Sequence, residues 1–281
     1  MNDVVVARPV MRYHGGKWKL AKWIISYFPA HRVYIEPFGG AASVLMQKPR
    51  SYAEVYNDLD GEIVNVFRVL RDPLQARELE RQLLLTPFAR EEFELTYYAD
   101  NDPIEQARRT IFRSYAGFGS NAMNTQRPTG FRANNNRSGT TPAHDWLNFP
   151  THIQSFVDRL AGVVIENRRF YEVIRAHDSE DTLIYADPPY VHETRKKRQI
   201  GNYRYEMSDE QHRELSEVLH NVAGSVVLSG YACPLYNELY YDWQYFERQS
   251  FADGARVRTE SLWINPQAMN RHTQIRMLLD E

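Results

Sequence analysis

The stretch that decides the fold is Arg32-Val33-Tyr34-Ile35-Glu36-Pro37-Phe38-Gly39-Gly40. Its first four residues predict a short buried strand, and the two glycines at its end predict a tight turn. A helix is expected from Ala41, then a second strand over residues 52–56 ending in Asn57-Asp58, then a helix over residues 62–70. This alternation of strand, turn, helix and strand is typical of an α/β protein with a doubly wound sheet.

The same kind of pattern divides the chain into two parts. Further strands are predicted over residues 162–165, 182–186, 225–229 and 261–264, and further helices over 18–28, 171–176 and 208–222. In between, the pattern changes to helical segments at 87–98 and 103–115, followed by a polar stretch that bears arginines. We therefore predict a discontinuous main domain, residues 1–71 and 161–281, with an inserted and mainly helical subdomain at residues 72–160.

The composition restricts the class of protein. With 281 residues, of which 43% are hydrophobic, the chain is long enough for one large α/β domain with an insertion. The single cysteine, Cys233, excludes an intrachain disulfide bond, and no apolar run approaches the ~20 residues that span a bilayer. The first ten residues carry no signal-peptide pattern, so a cytoplasmic protein without a membrane partner is expected. The formal net charge of −2 gives no overall indication of a nucleic-acid partner.

The tetrapeptide Asp187-Pro188-Pro189-Tyr190 indicates methylation of an amino group on a flat ring. Such an amine is a poor nucleophile because its lone pair is delocalised into the ring, so acceptors must hold its N–H groups. Asp187 offers a carboxylate and Pro188 a backbone carbonyl, while the two prolines stiffen the turn and donate no N–H. Tyr190 supplies a ring face on which a base can stack. The alternative is a proline-stiffened turn after a buried strand.

Two segments have the composition of a DNA-binding surface. Residues 106–144 contain six arginines and no Asp or Glu, and arginine contacts phosphates and guanine edges while Asn pairs with adenine edges. Residues 192–207 form a basic loop after the proposed catalytic turn, suited to closing over phosphates beside an extruded base. An ordinary solvated loop is the alternative for both. The predicted DNA-binding residues are Arg108, Arg113, Asn124, Arg127, Arg132, Asn134, Arg137, Arg195, Lys196 and Lys197.

Three elements near the start of the chain fit a nucleotide-like cofactor. The glycines that end the segment Glu36-Pro37-Phe38-Gly39-Gly40 let the backbone approach a ligand, at the strand end where such sheets bind nucleotides. Asp58 follows the second strand, where a carboxylate accepts hydrogen bonds from both ribose hydroxyls. Tyr13-His14-Gly15-Gly16-Lys17 places an aromatic ring and a cation before a helix. These two side chains fit the methionine part of S-adenosylmethionine or, taken alone, a helix start with a solvated lysine.

In this order, the motifs resemble those of the Dam-like, alpha-group DNA adenine-N6 methyltransferases of bacteria and bacteriophages, over nearly the whole chain. The matching elements are Tyr13 to Lys17, where the family has Trp-x-Gly-Gly-Lys, together with Glu36 to Ala41, Asn57-Asp58, Glu166-Asn167 with Phe170, Asp187 to Tyr190, Ser229-Gly230-Tyr231 and Thr259-Glu260-Ser261-Leu262. The resemblance implies a Rossmann-like, S-adenosylmethionine-dependent methyltransferase sheet as the catalytic domain. It also implies that residues 72–160 are a target-recognition subdomain and that Asp187, Pro188, Pro189 and Tyr190 are catalytic.

The resemblance further implies ligands and partners. S-adenosylmethionine is the expected cofactor, S-adenosylhomocysteine the product, and no metal is expected. The expected function is site-specific transfer of a methyl group to N6 of a flipped adenine in double-stranded DNA, by a nucleoid-associated monomer or weak dimer. A cognate restriction endonuclease also fits this resemblance. The expected cofactor-binding residues are Tyr13, Lys17, Glu36, Pro37, Phe38, Gly39, Gly40, Asp58, Asn167, Phe170 and Asp187.

Two departures from the family pattern affect these expectations. Ala41 stands where a further glycine is common, which tightens the space near the methionine group. The insert has Pro128-Thr129-Gly130-Phe131-Arg132-Ala133-Asn134 where members that read GATC carry Asn-Val-Pro-Phe-Gly, so a different or relaxed recognition site fits the sequence better. Two other functions remain open: methylation of another amine, such as guanine N2 in ribosomal RNA or glutamine in a protein, and DNA binding without catalysis.

Overall fold

The computed structural model of the protein has a seven-stranded sheet at its centre. The structure describes residues 5–119, 128–133, 140–194, 204–252 and 256–271. The strands are β1 Val33–Glu36, β2 Ala53–Asn57, β3 Val163–Glu166, β4 Thr182–Ala186, β5 Ser225–Gly230, β6 Gln244–Ala252 and β7 Arg256–Ile264. They lie side by side in the order β3-β2-β1-β4-β5-β7-β6.

The sheet is parallel over its first five strands and antiparallel at one edge. β1 pairs in parallel with β2 and β4, β2 pairs with β3, and β4 pairs with β5. β7 runs antiparallel between β5 and β6, with Gly230 of β5 opposite Ser261 of β7. This arrangement confirms the α/β class that the sequence predicts.

The strand order creates a crevice at one edge of the sheet. The chain runs outward from β1 through β2 to β3, then returns to the other side of β1 to form β4. Ligands of open α/β sheets bind at the carboxyl ends of the strands where the order reverses in this way. Here the segments that leave β1 and β4 at that point begin with Pro37 and Asp187.

Helices cover both faces of the sheet, and most of them occur in the part of the chain between β2 and β3. They are α1 Ala21–Ile25, α2 Gly61–Arg71, α3 Pro73–Leu85, α4 Arg90–Leu95, α5 Pro103–Ala116, α6 Pro142–Leu147, α7 Ile153–Leu160, α8 Phe170–His177, α9 Asp209–His220 and α10 Pro234–Leu239. Several begin at a capping side chain that accepts a backbone N–H, for example Asp60 before α2, Asp102 before α5 and Ser208 before α9. Among the described residues, none of these helices is long and apolar enough to cross a membrane.

Helices α3 to α7 pack against the rest of the molecule through a shared apolar core. α5 lies along α2, and its Ile111 and Phe112 are fully buried in the same cluster as Tyr34 of the sheet. The mainly helical character expected for this part of the chain is therefore present. The division of the chain at residues 72 and 160 into a catalytic domain and a recognition subdomain stays a prediction.

The helix predicted from Ala41 is wrong. Residues 41–47 form successive turns, because Gly40 and Ala42 have φ values of +47° and +53°, which do not occur in a right-handed helix. The backbone N–H of Leu45 donates to the buried carboxylate of Glu36 at 2.7 Å. The helix predicted over residues 18–28 is also shorter than expected, since only Ala21–Ile25 is α-helical.

Candidate active site

A cavity that opens to solvent lies at the carboxyl ends of β1, β2 and β4; its empty space, together with the solvent at its mouth, is about 1070 Å³. The predicted cofactor-binding residues on its wall are Tyr13, Lys17, Glu36, Pro37, Phe38, Gly39, Gly40, Asp58, Phe170 and Asp187, and Pro189 lies there as well. Asn167 does not line it, because this exposed side chain donates to the backbone carbonyl of Asp58 at 2.8 Å.

The two glycines after β1 are required by the closeness of two tyrosine rings. A Cβ atom on Gly39 would lie 2.2 Å from the ring of Tyr56, and one on Gly40 would lie 2.8 Å from the ring of Tyr13. The N–H of Gly39 donates to the carbonyl of Asn57 at 2.7 Å, which ties the turn to the end of β2. A turn held this closely leaves its backbone, with no side chain, on the cavity wall.

Asp58 fixes the same turn through its carboxylate. One oxygen accepts the N–H of Gly40 and the other accepts the N–H of Asp60, both at 2.8 Å. Burial raises the pKa of Asp58 to about 6, against the lowering effect of these hydrogen bonds. A carboxylate has about four lone-pair sites, so it can accept a further hydrogen bond, as the predicted role as a ribose acceptor needs.

Glu36 lies deeper and supports the turns of residues 41–47 from below. Its Oε1 accepts both the hydroxyl of Tyr34 at 2.6 Å and the N–H of Leu45 at 2.7 Å. Burial raises the pKa of Glu36 to about 7. Its hydrogen bonds therefore give this predicted cofactor-binding residue a structural role in shaping the cavity floor.

Aromatic and charged side chains form the remaining walls. The rings of Phe38 and Phe170 lie 5.4 Å apart and present an apolar surface to the cavity. On the side of the cavity away from the sheet, the Arg204 guanidinium donates to Asp60 at 3.0 Å and to Glu62 at 2.7 Å. These two hydrogen bonds connect the segment before α9 to the start of α2. One end of the cavity is thus suited to a flat ring and the middle to hydroxyl groups.

Asp187, at the end of β4, is held by a lysine from the start of the chain. Lys17 Nζ lies 2.8 and 3.1 Å from the two oxygens of Asp187, 3.0 Å from the carbonyl of Gly15 and 2.5 Å from the hydroxyl of Tyr190. Ser229, at the end of β5, also donates to Asp187 at 2.7 Å. Since Lys17 is only 3% exposed, this ammonium group is part of the interior of the site.

Tyr190 is buried in this cluster, with 5% of its surface exposed. Its ring lies 4.5 Å from the ring of Tyr231, and the Lys17 ammonium lies 4.8 Å from its centroid. Sequence reasoning assigned Lys17 to the methionine group and did not foresee its ion pair with Asp187. Gly15-Gly16-Lys17 and Ser229-Gly230-Tyr231 are both conspicuous motifs in the sequence, and their presence could have suggested that they contact Asp187.

Three of the predicted DNA-binding arginines are buried and make their contacts within the protein. Arg108 is 8% exposed and pairs with Glu105 and Glu92 at 2.6 and 2.8 Å, and Arg113 is fully buried and pairs with Glu62 at 2.7 Å. These partners lie outside the acid-free stretch of residues 106–144, which is why the stretch alone suggested unpaired cations.

Arg132 is the third, since it is 6% exposed and donates to the carbonyl of Tyr115. All three guanidinium groups serve the packing of the helices. The other predicted DNA-binding residues lie outside the described residues: Asn124, Arg127, Asn134, Arg137, Arg195, Lys196 and Lys197. In the part of the chain that the structure describes, no group of His, Cys, Asp and Glu side chains is arranged to hold a metal ion.

The fold and the site together define an α/β methyltransferase. A largely parallel sheet carries a glycine turn after β1 and an Asp-Pro-Pro-Tyr turn after β4, and both border one cavity. The family model of the D12 class N6 adenine-specific DNA methyltransferases matches residues 13–253, and the chain belongs to this family. A DNA adenine methylase from Haemophilus influenzae is 23% identical over 249 residues, which cover 83% of this chain and 82% of that protein.

Proposed function

We propose that this protein transfers a methyl group from S-adenosylmethionine to N6 of adenine at specific sites in double-stranded DNA. Membership of the D12 class supports DNA adenine-N6 methylation as the activity. The single observation that carries the assignment is the Asp187 carboxylate, positioned by Lys17 and Ser229 on the wall of the cavity after β4. A fixed acceptor at this point is what an amine of low nucleophilicity requires.

The chemistry of the cavity walls fits the cofactor. Phe38 and Phe170 would hold the adenine ring, Asp58 the ribose hydroxyls, and Tyr13 with the turn at Gly39 the methionine group. With a pKa of about 6, Asp58 is mainly ionised at pH 7 and is a good acceptor for hydroxyl groups. When bound, S-adenosylmethionine supplies a methyl group made electrophilic by its sulfonium sulfur.

The protein's own contribution to the reaction is positioning and electrostatics. Asp187 and the carbonyl of Pro188 accept the N–H groups of the target amine, and the two prolines keep these acceptors from moving apart. Asp187 need not remove a proton before transfer, since stabilising the positive charge that develops on the amine is sufficient. An amine inside a duplex is out of reach of this cavity, so the target adenine must be extruded from the stack.

We assign DNA recognition to the part of the chain between β2 and β3 and to the basic segment of residues 192–207. The proposed readers in the first part are Asn124, Arg127, Asn134 and Arg137, and the proposed phosphate contacts in the basic segment are Arg195, Lys196 and Lys197. The buried Arg108, Arg113 and Arg132 are not included, because their side chains are engaged within the protein.

The test replaces Asp187 by Asn, which keeps the shape and removes the charge. We expect Asp187→Asn to lower the rate of tritiated methyl transfer to DNA by at least about 100-fold, while DNA affinity stays within a factor of about three. Asp181→Asn is the matched control, since Asp181 is exposed just before the opposite end of β4. Full activity of Asp187→Asn contradicts the mechanism, and methyl transfer to RNA or protein but not to DNA contradicts the substrate.

A further inference from the structure

Two carboxylates, not one, face the Lys17 ammonium group. Lys17 Nζ is paired with Asp187 at 2.8 Å and lies 4.0 Å from Oε2 of Glu260. Glu260 belongs to β7 and precedes Ser261, which lies opposite Gly230 at the end of β5. The antiparallel strand β7 therefore brings this second acid to the edge of the sheet that carries Asp187.

One oxygen of the Glu260 carboxylate accepts a hydrogen bond, and the other oxygen accepts none from the described residues. The hydroxyl of Tyr231 donates to Oε1 at 2.8 Å, and the side chain is 9% exposed. Oε2 is buried and has no hydrogen-bond partner among the residues that the structure describes. A buried carboxylate oxygen without a donor is costly and calls for a functional explanation.

The position of Lys17 provides this explanation. Its ammonium group donates to both oxygens of Asp187 and lies 2.5 Å from the hydroxyl of Tyr190, at the polar edge of that ring. A target amine that donates to Asp187 needs these same carboxylate oxygens. The cation must therefore withdraw before the base can be seated, and a buried cation withdraws only toward another anion.

We propose that Glu260 is a positioning residue that accepts Lys17 from Asp187 when the target base enters. This inference rests on the proposed function, because it requires an amine donating to Asp187. A movement of roughly 1 Å would bring Nζ to the normal length of a charge-assisted hydrogen bond with Oε2. Tyr231 keeps the receiving carboxylate in place, and the lysine remains paired throughout the exchange.

The exchange also sets the charge around the reacting amine. The three groups carry two formal negative charges and one positive charge, so one negative charge is left over. Positive charge moves onto the amine during methyl transfer, and a fixed negative charge nearby stabilises it. Without Glu260, Lys17 would neutralise Asp187 and this stabilisation would be lost.

The experiment compares Glu260→Gln, Glu260→Asp and the wild type in single-turnover methyl transfer to DNA that contains the site methylated by the wild type. We expect Glu260→Gln to slow transfer on the order of 10- to 100-fold, while KM for DNA and Kd for S-adenosylmethionine change less than about threefold. Glu260→Asp keeps the charge and should be intermediate. Glu247→Gln is the matched control, since Glu247 accepts from Tyr245 on the neighbouring strand β6 but is exposed.

A second variant tests whether Glu260 acts through the lysine. In a Lys17→Met background no cation has to move, so adding Glu260→Gln should slow transfer less than about twofold. Equal slowing in both backgrounds overturns the proposal, as does a wild-type rate for Glu260→Gln. If Glu260→Gln does not fold, a wild-type rate and KM for Glu260→Asp also overturn it.

The two proposals fail in different ways. A wild-type protein that binds S-adenosylmethionine but methylates no adenine contradicts the proposed function. An active wild type with an equally active Glu260→Gln contradicts only the role of Glu260.

Discussion

Replacing Gly39 by Ala tests how closely the turn after β1 must approach β2. The added Cβ atom would lie 2.2 and 2.5 Å from two ring carbons of Tyr56 and 3.0 Å from the carbonyl oxygen of Asn57. Tyr56 is fully buried, its hydroxyl donates to Gly40 at 2.7 Å, and its ring lies 4.3 Å from that of Phe67. The ring therefore has to move by roughly 1 Å in a packed core, at a cost of about 1–3 kcal/mol.

We expect Gly39→Ala to lower the Tm by roughly 2–6 °C, measured by calorimetry or circular dichroism. Its affinity for S-adenosylmethionine should fall at least about tenfold by titration calorimetry, because the displaced turn also carries the N–H that Asp58 accepts. Gly61→Ala is the control, since the nearest atom to its Cβ would be an Asn167 oxygen at an ordinary 3.7 Å. A Gly39→Ala protein with the Tm and affinity of the wild type would refute the reasoning.

Three other substitutions have defined outcomes. Arg113→Met removes a buried ion pair with Glu62, which keeps its pair with Arg204, so the unfolding free energy in urea should fall by roughly 1–3 kcal/mol while the DNA affinity of the folded protein stays unchanged. An unchanged unfolding free energy together with weaker DNA binding would indicate that Arg113 contacts DNA. Phe170→Ala should raise the Kd for S-adenosylmethionine roughly 10- to 100-fold, whereas Phe170→Leu should raise it less; equal effects would argue against ring stacking. Glu36 has its pKa raised by burial from 4.5 to about 7, so the stability it contributes is complete below pH 4.5 and is lost as the pH rises through 7. Glu36→Gln keeps the acceptor oxygen but cannot ionise, so between pH 5 and pH 8 the variant should lose roughly 2–3 kcal/mol less stability than the wild type. Urea unfolding at the two pH values measures this difference, and an equal loss of stability in both proteins would contradict the raised pKa of Glu36.

The sequence predicted the parallel part of the sheet well, because buried parallel strands are short apolar runs bounded by turns. The predicted strand at residues 182–186 has the bounds of β4. The predicted strands that correspond to β1, β2 and β3 are each shifted by one residue, and the one that corresponds to β5 ends one residue early. The antiparallel edge was largely missed. β6 begins with Gln244-Tyr245-Phe246-Glu247-Arg248-Gln249, in which two neighbouring aromatic residues stand among polar ones, so there is no longer apolar run.

The sequence predicted which residues lie at the candidate site better than it predicted what each of them does there. Residues in one motif lie close together in the chain, so their common location at the cavity follows from the strand ends. The ion-pair partners of Lys17 and Arg113 could not be predicted in this way, since Asp187 and Glu62 are far from them in the sequence. Charge counted along a segment does not distinguish a surface arginine from one neutralised by a helix that packs on it.

The measurement that tests the central claim most directly is a map of modified bases. DNA without methylated adenine is incubated with S-adenosylmethionine and either the wild type or Asp187→Ala, and then read by single-molecule sequencing. We predict N6-methyladenine in a defined sequence context with the wild type and none with the variant. No methylated adenine with a wild type that binds the cofactor, or equal methylation by Asp187→Ala, would contradict the account.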